Sequence, residues 1–247
     1  MDTAFVIGNG ESRNIFPIDN LKEKGLIYGC NAIYRDHPKL CDHIVAVNPP
    51  MYEELRKWHN NGKESPTIHG PKDISRWNYI CDGDKENDVP QGLKLYRIWR
   101  GGDIKKGGRI KTNDFTLAKG SGCSAVLLAA ESGIKNIVIM AFDIMGAQQW
   151  EMETPSRIQN NIYKDTKNYP GRESMKAYLK YEWMYQLRQT FRKFPKTNFY
   201  FINRKEYLEG NPFLRWYFDQ PNIKCGIYAD LQRWITGMRD DITWRRL

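Results

Sequence analysis

The opening of this chain constrains its fold more than any other stretch. An apolar run, Ala4-Phe5-Val6-Ile7, passes directly into Gly8-Asn9-Gly10-Glu11-Ser12. A short apolar run of this kind reads as a strand. Gly-x-Gly at the end of such a strand brings bare backbone close to whatever lies there, and the turn that follows can aim N–H groups at a phosphate. Arg13 and Asn14 stand where the dinucleotide fingerprint would have its third glycine. The segment alone therefore reads equally as a nucleotide site or as a tight turn.

The same grammar recurs downstream. Gly25 to Cys30 reads as a second strand ending on Asn31, and Ile44-Val45-Ala46-Val47 as a third ending on Asn48. Gly120-Ser121-Gly122-Cys123-Ser124-Ala125 opens an apolar helix over 126–132, closed by Gly133 in C-cap position. Asn136 to Phe142 then gives a buried strand ending on Asp143. The pattern predicts an α/β, Rossmann-like, mostly parallel sheet flanked by helices, with Asn9, Asn31, Asn48 and Asp143 at the carboxyl edge where ligands bind. Taken singly each Asn reads as a turn residue that caps the next helix, but three at the same strand end weigh toward a binding edge; the small residues around Gly122 either clear space for a phosphate or pack the helix on the sheet.

These blocks, in this order, resemble the bacterial sialyltransferases of lipooligosaccharide synthesis. That family typically has G-N-G-P-S, then C-N-x-x-Y, matched here by Cys30-Asn31-Ala32-Ile33-Tyr34, then T-S-G before the helix and G-x-D after the next strand. The likeness covers about the first two thirds of the chain. It implies a variant of the GT-A fold in one domain spanning 1–247, with a lid over about 146–175. It also implies a nucleotide-sugar donor, no cofactor and no metal. By the same resemblance Gly8, Asn9, Gly10, Ser12, Asn31, Ser121, Gly122 and Asp143 would hold the nucleotide, and Asn48 would face the donor sugar.

Two departures matter. Glu11 replaces the family's proline and puts negative charge near the expected phosphate. The lid histidine of the family's Y-x-G-H segment is replaced in Tyr169-Pro170-Gly171-Arg172, and arginine stays protonated at any working pH. Glu173 is the simplest substitute base, with Asp165, Glu182 and Asp143 as rivals. Arg172 and Tyr169 would grip the phosphate and leaving group.

Composition bounds the remainder. The chain's 247 residues, 40% hydrophobic, suffice for one sizeable core, and no apolar run reaches the length of a membrane span. Five scattered cysteines without C-x-x-C read as reduced packing residues of a cytoplasmic protein. Asp82-Gly83-Asp84 spells a metal-binding D-x-D, but Lys85-Glu86-Asn87-Asp88 follows it as in an exposed acidic turn. Lys and Arg exceed Asp and Glu, 38 to 29, with a concentration between Leu93 and Lys119. Lys105, Lys106 and Arg109 there suit a phosphate backbone, and Tyr96 and Trp99 suit unstacked bases. A nucleic-acid acceptor follows as the expectation, and by the resemblance a hydroxymethylated base in DNA, as phage-encoded enzymes use. The alternatives are a sialyltransferase-like enzyme on a glycan, a nucleotide pyrophosphokinase, and a nucleotide-binding module without catalysis.

Overall fold

A computed structural model describes residues 2–61, 66–70, 120–144, 160–169, 178–210 and 214–237. The described strands are β1 (Thr3–Ile7), β2 (Leu26–Cys30), β3 (His43–Val45), β4 (Thr67–His69), β5 (Asn136–Met140), β6 (Asn198–Asn203) and β7 (Ile223–Ile227). They form one sheet in the order β4-β3-β2-β1-β5-β6-β7, with every neighbouring pair parallel. The α-helices are α1 (Pro49–Asn61), α2 (Ser121–Glu131), α3 (Tyr178–Lys193), α4 (Lys205–Glu209), α5 (Leu214–Tyr217) and α6 (Tyr228–Ile235). Three 3-10 turns, Glu11–Ile15, Ile18–Leu21 and Asn31–Arg35, complete the described elements. The expected α/β, Rossmann-like architecture is present.

The period of two in a strand explains the apolar opening. Ala4 and Val6 enter one buried cluster with α2 and α3, through residues such as Val126, Leu187 and Phe191. Phe5 and Ile7 enter a second cluster on the opposite face, against Phe16, Leu55 of α1 and Leu231 of α6. Burial on both faces is what makes the run continuous.

Element boundaries differ from the sequence reading where backbone geometry intervenes. The fifth strand stops at Met140, because Ala141 has φ +58 and leaves the extended region. The third strand is His43–Val45, one residue earlier in start and two shorter at the end than the apolar run suggests. β4 and β7 escape the sequence reading: both are edge strands, and they carry exposed Thr67 and Lys224 within short runs. Gly133 caps α2 as expected, with φ +78 and its N–H donated to the Ala130 carbonyl. Beyond β6, Tyr217 is fully buried and the Trp234 ring centroid lies 6.0 Å from that of Phe5.

Candidate functional site at the carboxyl edge

Register gathers the strand ends. Ile7 pairs with Gly29 of β2 and with Met140 of β5, and Met140 pairs with Ile202 of β6. The residues that follow, Gly8 to Ser12, Asn31, Ala141 to Asp143 and Asn203, therefore emerge along one edge, with Asn48 just past β3. The sheet order turns at β1 and β5, from which the chain winds in opposite directions, and such a switch point is where open α/β sheets hold ligands.

At its base this crevice is stitched shut. Gly8 donates its N–H to the Met140 carbonyl at 2.8 Å, Gly10 to the Ala141 carbonyl at 2.9 Å, and Ser12 to Asp143 Oδ2 at 2.7 Å. A Cβ on Gly8 would stand 2.3 Å from the Ala141 carbonyl oxygen, and one on Gly10 2.7 Å from Asp143 Oδ2. The bare backbone read from the sequence as an approach for phosphate is used here by the chain's own β5 loop.

Asp143 is the hub of that contact. It accepts the Ser12 hydroxyl at 2.6 Å and the Asn203 amide at 3.1 Å, and the Arg204 guanidinium lies 3.9 Å away. Tyr228 accepts the Ala141 N–H at 3.1 Å and lies 2.9 Å from Ser12 Oγ. Because Ser12 gives its proton to the carboxylate, the Tyr228 hydroxyl donates to Ser12. Burial raises the Tyr228 phenol well above its ordinary range, which keeps it a donor. With an Asp143 side chain only 6% exposed, a ligand hydroxyl must share these acceptor positions or displace a donor.

Asn9 is engaged as fully. Its amide donates to the Cys30 carbonyl at 2.9 Å and to the Tyr169 hydroxyl at 3.0 Å, and its oxygen accepts from Arg13 at 3.2 Å. Arg13 is buried and also reaches Asp36 at 2.9 Å and the Tyr163 hydroxyl at 3.0 Å. Tyr163 and Tyr169 belong to residues 160–169, a strap across the ends of β1 and β2. Asn161 bridges Gly10, Ile162 donates to the Asn9 carbonyl at 2.9 Å, and Lys164 pairs with Glu11. The Glu11 charge, unfavourable beside a phosphate, is thus neutralised by the strap. Arg35 holds the strap from below, donating to Thr166 Oγ1 and the Lys167 carbonyl, each at 2.8 Å, and to Glu54. Burial works against the Glu54 charge, but hydrogen bonds from Tyr34, Arg35 and Asn168 outweigh it and hold the carboxyl below its usual range.

The more open part of the edge lies toward β2 and β3. Asn31 has φ +53 and accepts the Ser121 hydroxyl at 2.7 Å, and Ser121 Oγ accepts the Val47 N–H at 3.2 Å. This joins two strand ends to the first residue of α2, whose opening N–H groups lack intrahelical partners and favour an anion. Asn31 and Gly122 are half-buried and Asn48 is exposed, at the amino end of α1. The glycines of this helix start serve packing: a Cβ on Gly120 would meet the Trp183 ring at 2.8 Å, and one on Gly122 the Phe142 ring at 2.9 Å.

The structure thus brings together Gly8, Asn9, Gly10, Ser12, Asn31, Ser121, Gly122, Asp143 and Tyr169, with Asn48 nearby. Arg172, Glu173, Tyr96, Trp99, Lys105, Lys106, Arg109, Asp82 and Asp84 lie outside the described residues. Asp165 is exposed on the strap, and Glu182 lies in α3. Arg13, Arg35, Glu54 and Tyr228 were not foreseen, because no motif spacing marks a residue whose role is to hold a neighbouring loop. A groove of about 710 Å³ lined by Asn20, Lys24, Gln232 and Trp234 lies at the opposite, amino edge, apart from these residues. No described helix is long and apolar enough to cross a membrane. Comparison with family models, curated proteins and solved structures finds no match to this chain, so its function is read from these residues and their geometry.

Proposed function

We propose that this chain is a glycosyltransferase that moves a sugar from a nucleotide-activated donor to an acceptor. One observation carries the reading: the strand-end blocks that share the order of the sialyltransferase motifs converge at one carboxyl edge, around a topological switch point. The geometry supports a place for the nucleotide, and the motif likeness supplies the reaction. The donor's phosphate faces the first turn of α2, and Asn31 and Asn48 offer neutral donors and acceptors to base or sugar hydroxyls. Glu173 acts as base, and Arg172 and Tyr169 stabilise the leaving phosphate without metal. The acceptor is a base in DNA, drawn in by the basic stretch 93–119.

A second reading, a nucleotide-binding module without turnover, draws on the full engagement of Asn9 and Asp143 by protein groups. The two separate in one assay. The protein is incubated in EDTA with a panel of nucleotide sugars and either hydroxymethylated DNA or a glycan, and nucleotide release is followed by chromatography. The transferase reading expects acceptor-dependent release that falls by about two orders of magnitude or more in Glu173→Gln. Absence of release with every donor, alongside retained nucleotide binding, leaves the binding module. Release that requires added manganese moves the chemistry to Asp82 and Asp84.

A further inference from the structure

At the edge of the sheet, away from the strand-end residues, two imidazoles meet. His43 opens β3 and His69 closes β4, and the parallel register pairs His43 with Thr67, two residues before His69. A separation of two puts both rings on one face of the pleat. His43 Nδ1 and His69 Nε2 stand 3.3 Å apart, and both residues are half-buried, with access to solvent. Tyr28 fixes the first ring from the other side, stacked on His43 at 4.3 Å between centroids.

We propose that His43 Nδ1 and His69 Nε2 form a two-point site for a divalent transition-metal ion of the zinc class. Two imidazole nitrogens on a tetrahedral zinc, each about 2.0–2.1 Å from the ion, stand about 3.3–3.4 Å from each other. The separation found here therefore suits a shared ion as well as a shared hydrogen bond. Metal entry replaces the N–H···N contact: the donor ring moves its proton to its other nitrogen, and both facing nitrogens present lone pairs. Neutral imidazole is the ligating form. Among the described residues no group of three or more His, Cys, Asp or Glu could hold a metal, so the two imidazoles are the ligands proposed. Imidazole suits Zn²⁺, Ni²⁺ and Cu²⁺ over Mg²⁺ or Ca²⁺. The bound ion clips the three-residue edge strand β4 to β3.

The test is calorimetric titration of the tag-free chain with Zn²⁺ in a non-chelating buffer near neutral pH. The expected result is about one equivalent bound, weakened at least about tenfold in His43→Gln and in His69→Gln. His37→Gln and His59→Gln should bind as the native chain does, since His37 faces Asp19 and His59 sits on α1. Binding left unchanged by the first two substitutions overturns the proposal, as does absence of binding up to about 1 mM zinc, below the affinity of a useful site. Should a variant fail to fold, the Cu²⁺ complex of the native chain decides. Hyperfine coupling to two imidazole nitrogens in its electron paramagnetic resonance spectrum supports the site, and coupling to one or none overturns it.

Discussion

A side chain on Gly8 has nowhere to go, because the Ala141 carbonyl oxygen opposite is backbone and held by its own hydrogen bond from Gly10. Gly8→Ala should therefore destabilise the fold by on the order of 1–3 kcal/mol through overpacking, read as a lower urea midpoint with an unchanged slope. Asp143→Ala removes the acceptor for the Ser12 N–H, the Ser12 hydroxyl and the Asn203 amide together. At about 1–3 kcal/mol for each donor left unmet, the loss should reach roughly 3 kcal/mol without any ligand present. A near-neutral Asp143→Ala would show that this carboxylate is kept for a ligand. The sequence makes Gly8, Gly10 and Asp143 visible as special positions, since glycine after a strand means close approach and a carboxylate at a strand end is exposed to chemistry. It does not say what approaches, because the partner of Gly8 is more than a hundred residues away and is a carbonyl, which carries no side-chain signature.

The strap 160–169 is fastened by two kinds of contact. Tyr163 and Tyr169 bury their rings beside Ile162, and polar groups on the Asn31–Arg35 turn and α1 tie down the exposed side. Arg35→Ala should leave the tyrosines in place but raise hydrogen exchange at the Ile162 amide, with the β1 and β5 amides unchanged. Strap and sheet amides exchanging at one common rate in that variant would contradict separate fastening. The pH dependence follows from Glu54, whose folded carboxyl is held below its ordinary value. Its contribution is present above the unfolded value of about 4.3 and is lost as pH falls through the lower folded value. Corrected exchange at Ile162 should therefore rise below about pH 4 in the native chain and be less pH-sensitive in Glu54→Gln. Strands β1, β2 and β5 were legible as elements because burial on two faces leaves a continuous apolar text. β4, β7 and the strap were not, since an edge strand needs only one buried face and the strap is set by tertiary contacts.

At the scale of the whole molecule the parallel sheet places its carboxyl edge beside the first turn of α2, and the excess of cationic residues adds a long-range pull on polyanions. DNA binding should weaken steeply with salt, and the triple variant Lys105→Ala, Lys106→Ala, Arg109→Ala should flatten that dependence by about three units while nucleotide binding is kept. A salt-independent association would remove DNA as the acceptor and leave the donor site untouched. The central claim, a nucleotide held at this edge, is tested most directly by calorimetric titration with cytidine, uridine, guanosine and adenosine mono- and diphosphates, in the native chain and in Asn31→Ala. One nucleotide should bind at a single site, and its affinity should fall by about 1–3 kcal/mol when the Asn31 amide is removed. Failure of all eight to bind at about 1 mM, or a binding nucleotide indifferent to Asn31→Ala, would contradict it.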